Sequence, residues 1–336
     1  MLMTIRNFAV SRRTALFAAG AVAAGVIGSR SARAQAKTIR LAHHVTTDSD
    51  QQRAAERFRD LLKTYTNGAL TVQILPAGQM GGQREIIEAV SLGTLEMGYG
   101  ESGLYANYVK RFGLLALPYL YRNADHWAAV VTGPIGKELG DELVGKAGLR
   151  IVNWINAGYR NTFLRTRAVK VPSDFKGLKI RVPESPVFVR TFSTFGATPT
   201  PIPAPEMYTS LQTGVVDAME GSPEVGYTFK MFEVTKFLSK TEHILLDGSF
   251  AINETFFKSL PADQQSALMR AAAEAGETQR KEQPARDKAW FDKLTAGGMI
   301  VNDIDRPAFQ DAVKALQDDF AKEAGAGALL AQIRSA

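Results

Sequence analysis

The stretch Thr38-Ile39-Arg40-Leu41-Ala42, followed by the polar turn from His43 to Asp50, decides the fold. The first five residues read as a strand, and Asp48, Ser49 and Asp50 are all competent helix N-caps. Beyond them Ala54, Ala55, Phe58, Leu61, Leu62 and Tyr65 recur at helical spacing until Asn67-Gly68 supplies a stop. Leu70 to Leu75 reads as a second strand closed by Pro76, Glu85 to Leu92 as a second helix closed by Gly93, and Leu95 to Tyr99 as a third strand. Strand and helix alternating at this spacing predict an α/β protein with a parallel, doubly wound sheet. The loops after the carboxyl ends of such strands share one crevice. That places His43-His44 and Gly100-Glu101-Ser102 at the expected ligand site.

The middle of the chain repeats the pattern. Strands are expected at Leu149–Ile155 and Leu178–Val182, helices at Glu184–Phe195 and Glu206–Gly214, and a short strand at Ala218-Met219. Between them the stiff run Pro199-Thr200-Pro201-Ile202-Pro203-Ala204-Pro205 reads as a connector, since its prolines cannot lie inside a helix. From Ala262 onward the composition predicts long helices. Pro284 is expected to kink the first, and Phe309, Val313, Leu316 and Phe320 to line one face of the last. At 336 residues the chain is too long for one small core, so two lobes are expected.

The N-terminus reads as an address. Arg6, Arg12, Arg13, Arg30 and Arg33 are the only charges in residues 1–34, and without them 35 basic residues face 34 acidic ones, so the formal net charge of +6 becomes +1. A near-neutral mature chain lacks the footprint of a nucleic-acid binder. Arg12-Arg13 precede a short apolar stretch, Leu16 to Ile27, and Ala32-Arg33-Ala34 fits a cleavage pattern, with Ala34-Gln35-Ala36 as the competing site. The paired arginines and the weakly hydrophobic Ala/Gly-rich core favour a twin-arginine signal over a general secretory one. The expected location is periplasmic. With no cysteine in the chain there is no lipid anchor, disulfide or thiolate metal site to expect.

Catalytic motifs are weak. Gly98-Tyr99-Gly100-Glu101-Ser102-Gly103 spells a dinucleotide fingerprint, but it follows the third strand and sets Glu101 against phosphate charge. Ser173-Asp174-Phe175-Lys176 fits S-x-x-K without its partner motifs, and the four histidines include no i,i+4 metal pair. No metal, no cofactor and no enzyme activity are expected; a twin-arginine-exported enzyme is the competing class. Binding has better support, because Arg160 and Arg181 lie in or beside predicted strands. A guanidinium held there offers a carboxylate two parallel hydrogen bonds.

Ordered blocks then carry a resemblance: Ile39-Arg40-Leu41-Ala42-His43-His44, Pro76-Ala77-Gly78-Gln79-Met80-Gly81-Gly82, Leu117-Pro118-Tyr119-Leu120-Tyr121, and Phe175-Lys176-Gly177-Leu178-Lys179-Ile180-Arg181-Val182-Pro183. Gly196-Ala197-Thr198-Pro199-Thr200-Pro201 and the run from Glu206 to Asp217 follow. Over essentially the whole mature chain the sequence resembles the solute-binding component of tripartite ATP-independent periplasmic (TRAP) transporters, the DctP-like receptors. The resemblance implies a periplasmic binding protein-like fold of two α/β lobes joined by hinge strands and a long C-terminal helix, with the ligand in the inter-lobe cleft. It divides the chain into a signal peptide at 1–34, a first lobe at 37–155, a second lobe at 156–250, and hinge-crossing and C-terminal helices at 251–336 that pack on both lobes. It implies capture of a small organic acid and its delivery to membrane permease subunits driven by an ion gradient. The expected state is a monomer, with a dimer as the alternative.

By the same resemblance Arg181 occupies the family's carboxylate-binding position, Arg160 a second arginine position, Glu101 the acid after the third strand, and His44 the polar residue after the first. Where relatives carry Asn after a glutamate, this chain has Gly221 and then Ser222. Losing an amide changes how the distal end of the ligand is read. His44, Glu101 and Tyr159 suit hydroxyls, which favours a hydroxylated sugar-acid ligand over a C4-dicarboxylate or a keto acid, the alternatives within the family.

Overall fold

The computed structural model describes residues 36–336, and the expected signal segment, residues 1–34, lies outside the described residues. Strands β1 (Lys37–Ala42), β2 (Leu70–Leu75) and β3 (Met97–Gly100) are parallel, with β1 between the other two. The short β4 (Leu149–Ile151) precedes β5 (Ile155–Leu164), which begins the second lobe. There β6 (Lys179–Val182) lies parallel to β7 (Thr198–Pro201) and to β8 (Ala218–Gly221), and β8 pairs antiparallel with β5. The 17-residue β9 (Phe237–Asn253) pairs with β5 from Phe237 to Gly248 and with β3 from Ser249 to Ile252, so one strand belongs to both lobes. The short β10 (Ile300–Asn302) lies against the start of β9. The strand order β2-β1-β3-β9-β5-β8-β6-β7 is therefore mixed, parallel among β1 to β3 and among β6 to β8 and antiparallel where β9 and β5 join these two sets, rather than the wholly parallel sheet that the alternation predicts.

The first lobe carries α1 (Asp50–Tyr65), α2 (Gln83–Ser91), the single turn α3 (Ser102–Tyr105), α4 (Ala124–Thr132) and α5 (Pro134–Ala147). The second carries α6 (Pro186–Thr194), α7 (Met207–Gln212) and α8 (Pro223–Thr228). Then come α9 (Glu254–Lys258), the 35-residue α10 (Ala262–Ala296), α11 (Arg306–Glu323) and α12 (Gly327–Ser335). Helix α1 starts where the turn chemistry directs, with the Ser49 hydroxyl accepting the Gln52 N–H at 3.1 Å. It buries Ala54, Ala55, Phe58 and Leu62, and it stops before Asn67 and Gly68, both at positive φ. Helix α10 packs on α1 of the first lobe and on α8 and β5 of the second. It runs on through Pro284, which removes one N–H without ending it.

Apolar layers hold each lobe. Beneath β1 and β3, Phe58, Tyr99 and Phe250 pack with Leu268, Ala271 and Ala275 of α10. In the second lobe Phe175, Phe192, Phe195 and Phe309 form an edge-to-face and stacked cluster with ring centroids 5.0–6.1 Å apart. Each fully buried ring is worth roughly 1.5–3 kcal/mol. Two local outcomes differ from expectation. The strand predicted over Leu149–Ile155 breaks at Val152–Trp154, where the Asn153 side-chain oxygen accepts the Phe250 N–H at 2.7 Å in place of a backbone carbonyl. The proline-rich connector begins as the edge strand β7. Thr198 and Ile202 donate inward to Leu178 and Val182, while the nitrogens of Pro199 and Pro201, which cannot donate, fall at the intervening positions.

Gly248 sits in β9 at the passage between lobes, and a Cβ there would strike the buried Tyr99 ring. Gly248→Ala is expected to destabilise the protein by roughly 1–3 kcal/mol through overpacking, seen as a fall of a few degrees in thermal unfolding; an unchanged Tm would show that Tyr99 moves aside freely.

Candidate functional site

The strand ends of the two lobes face one another across a cleft. His44 follows β1 and Glu101 follows β3 on one side; Arg160 from β5 and Arg181 from β6 stand on the other. All four line one pocket, together with Gln83 and Arg84 from the start of α2, Glu184 after β6, and an apolar rim that includes Leu104, Met207, Val225 and Phe229. The arrangement follows from the parallel strands of each lobe, whose carboxyl ends point the same way.

Arg181 is 4% exposed. Its Nε donates to the Ile202 carbonyl at 2.7 Å, and its two terminal nitrogens have no hydrogen-bond acceptor among the described residues. Burial lowers its pKa to about 10, against the opposing attraction of Glu220. It remains charged at neutral pH, with the guanidinium fork uncommitted.

Arg160 is equally buried, but it is held by the protein. Its Nε and Nη2 donate to the Glu220 carboxylate, and Nη2 also donates to the Glu220 carbonyl at 3.1 Å. Its guanidinium lies 4.9 Å from the Phe188 ring centre, and Nη1 stands 3.8 Å from Glu101 Oε2. Burial pushes the Glu220 carboxyl up. The charge of Arg160 and the hydrogen bonds from His243 and Arg160 outweigh this and bring it to about 2. His243 Nε2 lies 3.2 Å from Glu220 Oε2 and its Nδ1 lies 2.9 Å from the Thr241 hydroxyl. An acceptor-only carboxylate requires the proton on Nε2, so His243 donates there while its Nδ1 accepts from Thr241.

Across the cleft, burial and then the positive charges of His43, Arg181 and Arg160 lower the His44 pKa to about 3. His44 is a neutral imidazole whose Nδ1 is buried without a partner. The Nε2 of Gln83 is likewise buried and unpaired. Burial raises the Glu101 carboxyl, opposed by Arg160. The site thus combines a bare guanidinium fork with a carboxylate, an imidazole and an amide, a donor and acceptor set suited to a carboxylate that bears hydroxyls.

Three of the sequence-predicted site residues do not line this pocket. Tyr159 neighbours Arg160 on β5, and alternation along a strand sends its side chain the other way. It lines a separate cavity with Lys240, Glu242, Asp287 and Phe291. Gly221 faces helix α8, since a Cβ built on it would meet Val225 and Met219. Ser222 is fully buried as the N-cap of α8, its hydroxyl accepting the Val225 N–H at 3.4 Å. Sequence reasoning missed Gln83, Arg84, Glu184, Val225 and Phe229. Gln83 and Arg84 directly follow the Met80-Gly81-Gly82 block and Glu184 directly follows Pro183, so the signal lay one or two residues beyond each block. The partnership of Glu220 with Arg160 was also missed, and it has no signal in spacing.

The chain matches the family described as bacterial extracellular solute-binding protein, family 7 (DctP), over residues 41–323. It is 35% identical to the 2,3-diketo-L-gulonate-binding periplasmic protein YiaO of Escherichia coli over 91% of this chain and 93% of that one. Among solved structures it is similar to a TRAP periplasmic solute-binding protein from a Bradyrhizobium species in complex with α/β-D-galacturonate, with a TM-score of 0.86 and 30% identity, covering 89% of this chain and 100% of that one. It is also similar to a TRAP periplasmic solute-binding protein from Roseobacter denitrificans with bound L-galactonate, with a TM-score of 0.82 and 30% identity, covering 89% and 99%. These proteins are solute receptors, extracytoplasmic and without enzyme activity, which sets aside the exported-enzyme alternative. No described helix is long and apolar enough to cross a membrane. The chain belongs to the DctP family and is a TRAP transporter solute-binding protein.

Proposed function

We propose that this protein is a periplasmic receptor for a hydroxylated sugar acid, exported by the twin-arginine route, that delivers its ligand to a membrane permease. The uncommitted fork of Arg181 carries the reading. A buried guanidinium without an acceptor is costly, and a ligand carboxylate accepting both terminal N–H groups relieves that cost. His44, Gln83 and Glu101 stand opposite as unpaired or acceptor groups for hydroxyls. A C4-dicarboxylate would bring a second carboxylate toward Glu101 and leave the imidazole and amide without hydroxyl partners, which weighs against it. The ligands of the three relatives named above, diketogulonate, galacturonate and galactonate, are hydroxylated acids. Ser222 and Gly221 shape α8 in this reading and make no ligand contact.

A thermal-shift and calorimetric comparison of the mature chain with D-galacturonate, L-galactonate, 2,3-diketo-L-gulonate and succinate tests this. At 100 times its dissociation constant a ligand stabilises by about 2.7 kcal/mol; at least one sugar acid should do so and succinate should not. A preference for succinate would overturn the ligand class. Arg181→Lys should weaken binding by on the order of a hundredfold, because an ammonium cannot reproduce two parallel hydrogen bonds. Parent-like affinity in that variant would overturn the clamp.

Glu220 anchors Arg160, and its loss has a separate signature. Its folded pKa, about 2, lies below the ordinary glutamate range, so its contribution is present above that range and is lost as pH falls toward 2. Glu220→Gln is expected to cost roughly 3–5 kcal/mol at neutral pH by leaving Arg160 uncompensated. The difference from the parent should shrink between about pH 4.5 and 2, a range that acid unfolding of both proteins covers.

A further inference from the structure

Away from the carboxylate clamp, three elements meet at a second buried group of charges. Helix α1 enters from the first lobe, α8 from the second, and α10 packs against both. Asp50, in the first turn of α1, is 1% exposed, and its Oδ1 receives Arg53 of α1 and Arg286 of α10. Glu224, in the first turn of α8, is also 1% exposed, and its Oε1 accepts the backbone N–H of Asp50 at 2.8 Å. This is a direct hydrogen bond between the lobes. The other oxygen, Oε2, is buried with no partner.

The surroundings decide what form of Glu224 can sit there. Both arginines are committed to Asp50, and Glu224 forms no ion pair among the described residues. Asp50 of α1 is in direct contact with it, and the other groups whose charge bears on it are acidic or neutral: Asp48 from the turn before α1, Tyr99 from β3, and Asp287 from α10, whose Oδ1 is also buried and unpaired. Lys293 of α10 bears on Asp50. A carboxylate with one bare oxygen and three acids near it is poorly tolerated in a dry interface, whereas a carboxylic acid needs no counter-charge. Burial first, and then the negative charge of Asp50, hold the Glu224 carboxyl well above its usual range.

We propose that Glu224 is a proton-operated latch between the lobes: on closure its carboxylate takes one proton from solvent and enters the interface as a neutral acid, and on opening it releases that proton. The proposal rests on the reading of this protein as a receptor whose lobes open and close. The sign follows from the raised pKa of Glu224 when its hydrogen bond between the lobes is made. Closure is favoured at pH below the ordinary glutamate range and is progressively opposed as pH rises above it, by up to about tenfold in the closure equilibrium per pH unit for one proton.

The chain has no cysteine, so two labels can be placed uniquely. Spin labels at Glu88→Cys on α2 and Gln212→Cys on α7, both exposed, report the distance between lobes. In the ligand-free parent the short-distance population should grow several-fold from pH 8 to pH 5.5. With Glu224→Gln added, an isosteric neutral amide, it should hold its low-pH value throughout. An equal pH response with and without Glu224→Gln, or none in the parent, would overturn the latch. Calorimetry with D-galacturonate in two buffers of different ionisation enthalpy gives the second readout, more protons taken up by the parent than by Glu224→Gln; equal uptake would count against the latch. If D-galacturonate fails to bind, that ligand falls, and the distance distributions still decide the latch.

Discussion

Two guanidiniums buried in one cleft, with a protein carboxylate fully committed to only one of them, set the terms for everything around them. Arg160 is satisfied by Glu220, which His243 and Thr241 steady from behind, and so it is part of the frame. Arg181 is anchored only through Nε and leaves its fork open. The charges of the pair add to the burial that holds His44 neutral, and Arg160 stands 3.8 Å from Glu101. The same two side chains thus differ in state: one is tied into the second lobe, and the other has its terminal N–H groups uncommitted.

The strand shared by the lobes makes this geometry possible. Because β9 pairs with β5 over one part of its length and with β3 over the next, the relative position of Arg160 and Glu101 is set through one continuous ladder. Helix α10 bridges the same two lobes on another side. Between these ties the cleft residues come from opposite halves of the molecule, so a ligand touching His44 and Arg181 at once reads both halves.

Much of this was legible in the chain. Helix α1 and strands β1 to β3 carry strong periodicity and clear stops, and Arg181 in Leu178–Val182 pointed to the cleft because parallel strands aim their ends one way. What stayed hidden depends on pairing between distant segments. Strand β9 contains Lys240, Glu242, Asp247 and Gly248, which read locally as breaks; only its partners on both sides make it a strand. The direction of Tyr159 depends on the register of β5, where the pairing with β9 shifts between Asn156 and Tyr159. The resemblance puts Gly221 and Ser222 at a ligand position, and the structure makes one the last residue of β8 and the other a helix cap, because a short strand gives no local sign of where it ends.

The prolines of β7 have an effect that reaches beyond the single molecule. This strand forms one margin of the whole sheet, and a margin with regularly spaced free N–H groups is a template onto which another chain can add. Pro199 and Pro201 remove donors at alternate positions along that margin, so a passing strand finds no complete ladder to join. The proline-lined margin thereby discourages self-association of the receptor at the place where the sheet would otherwise grow.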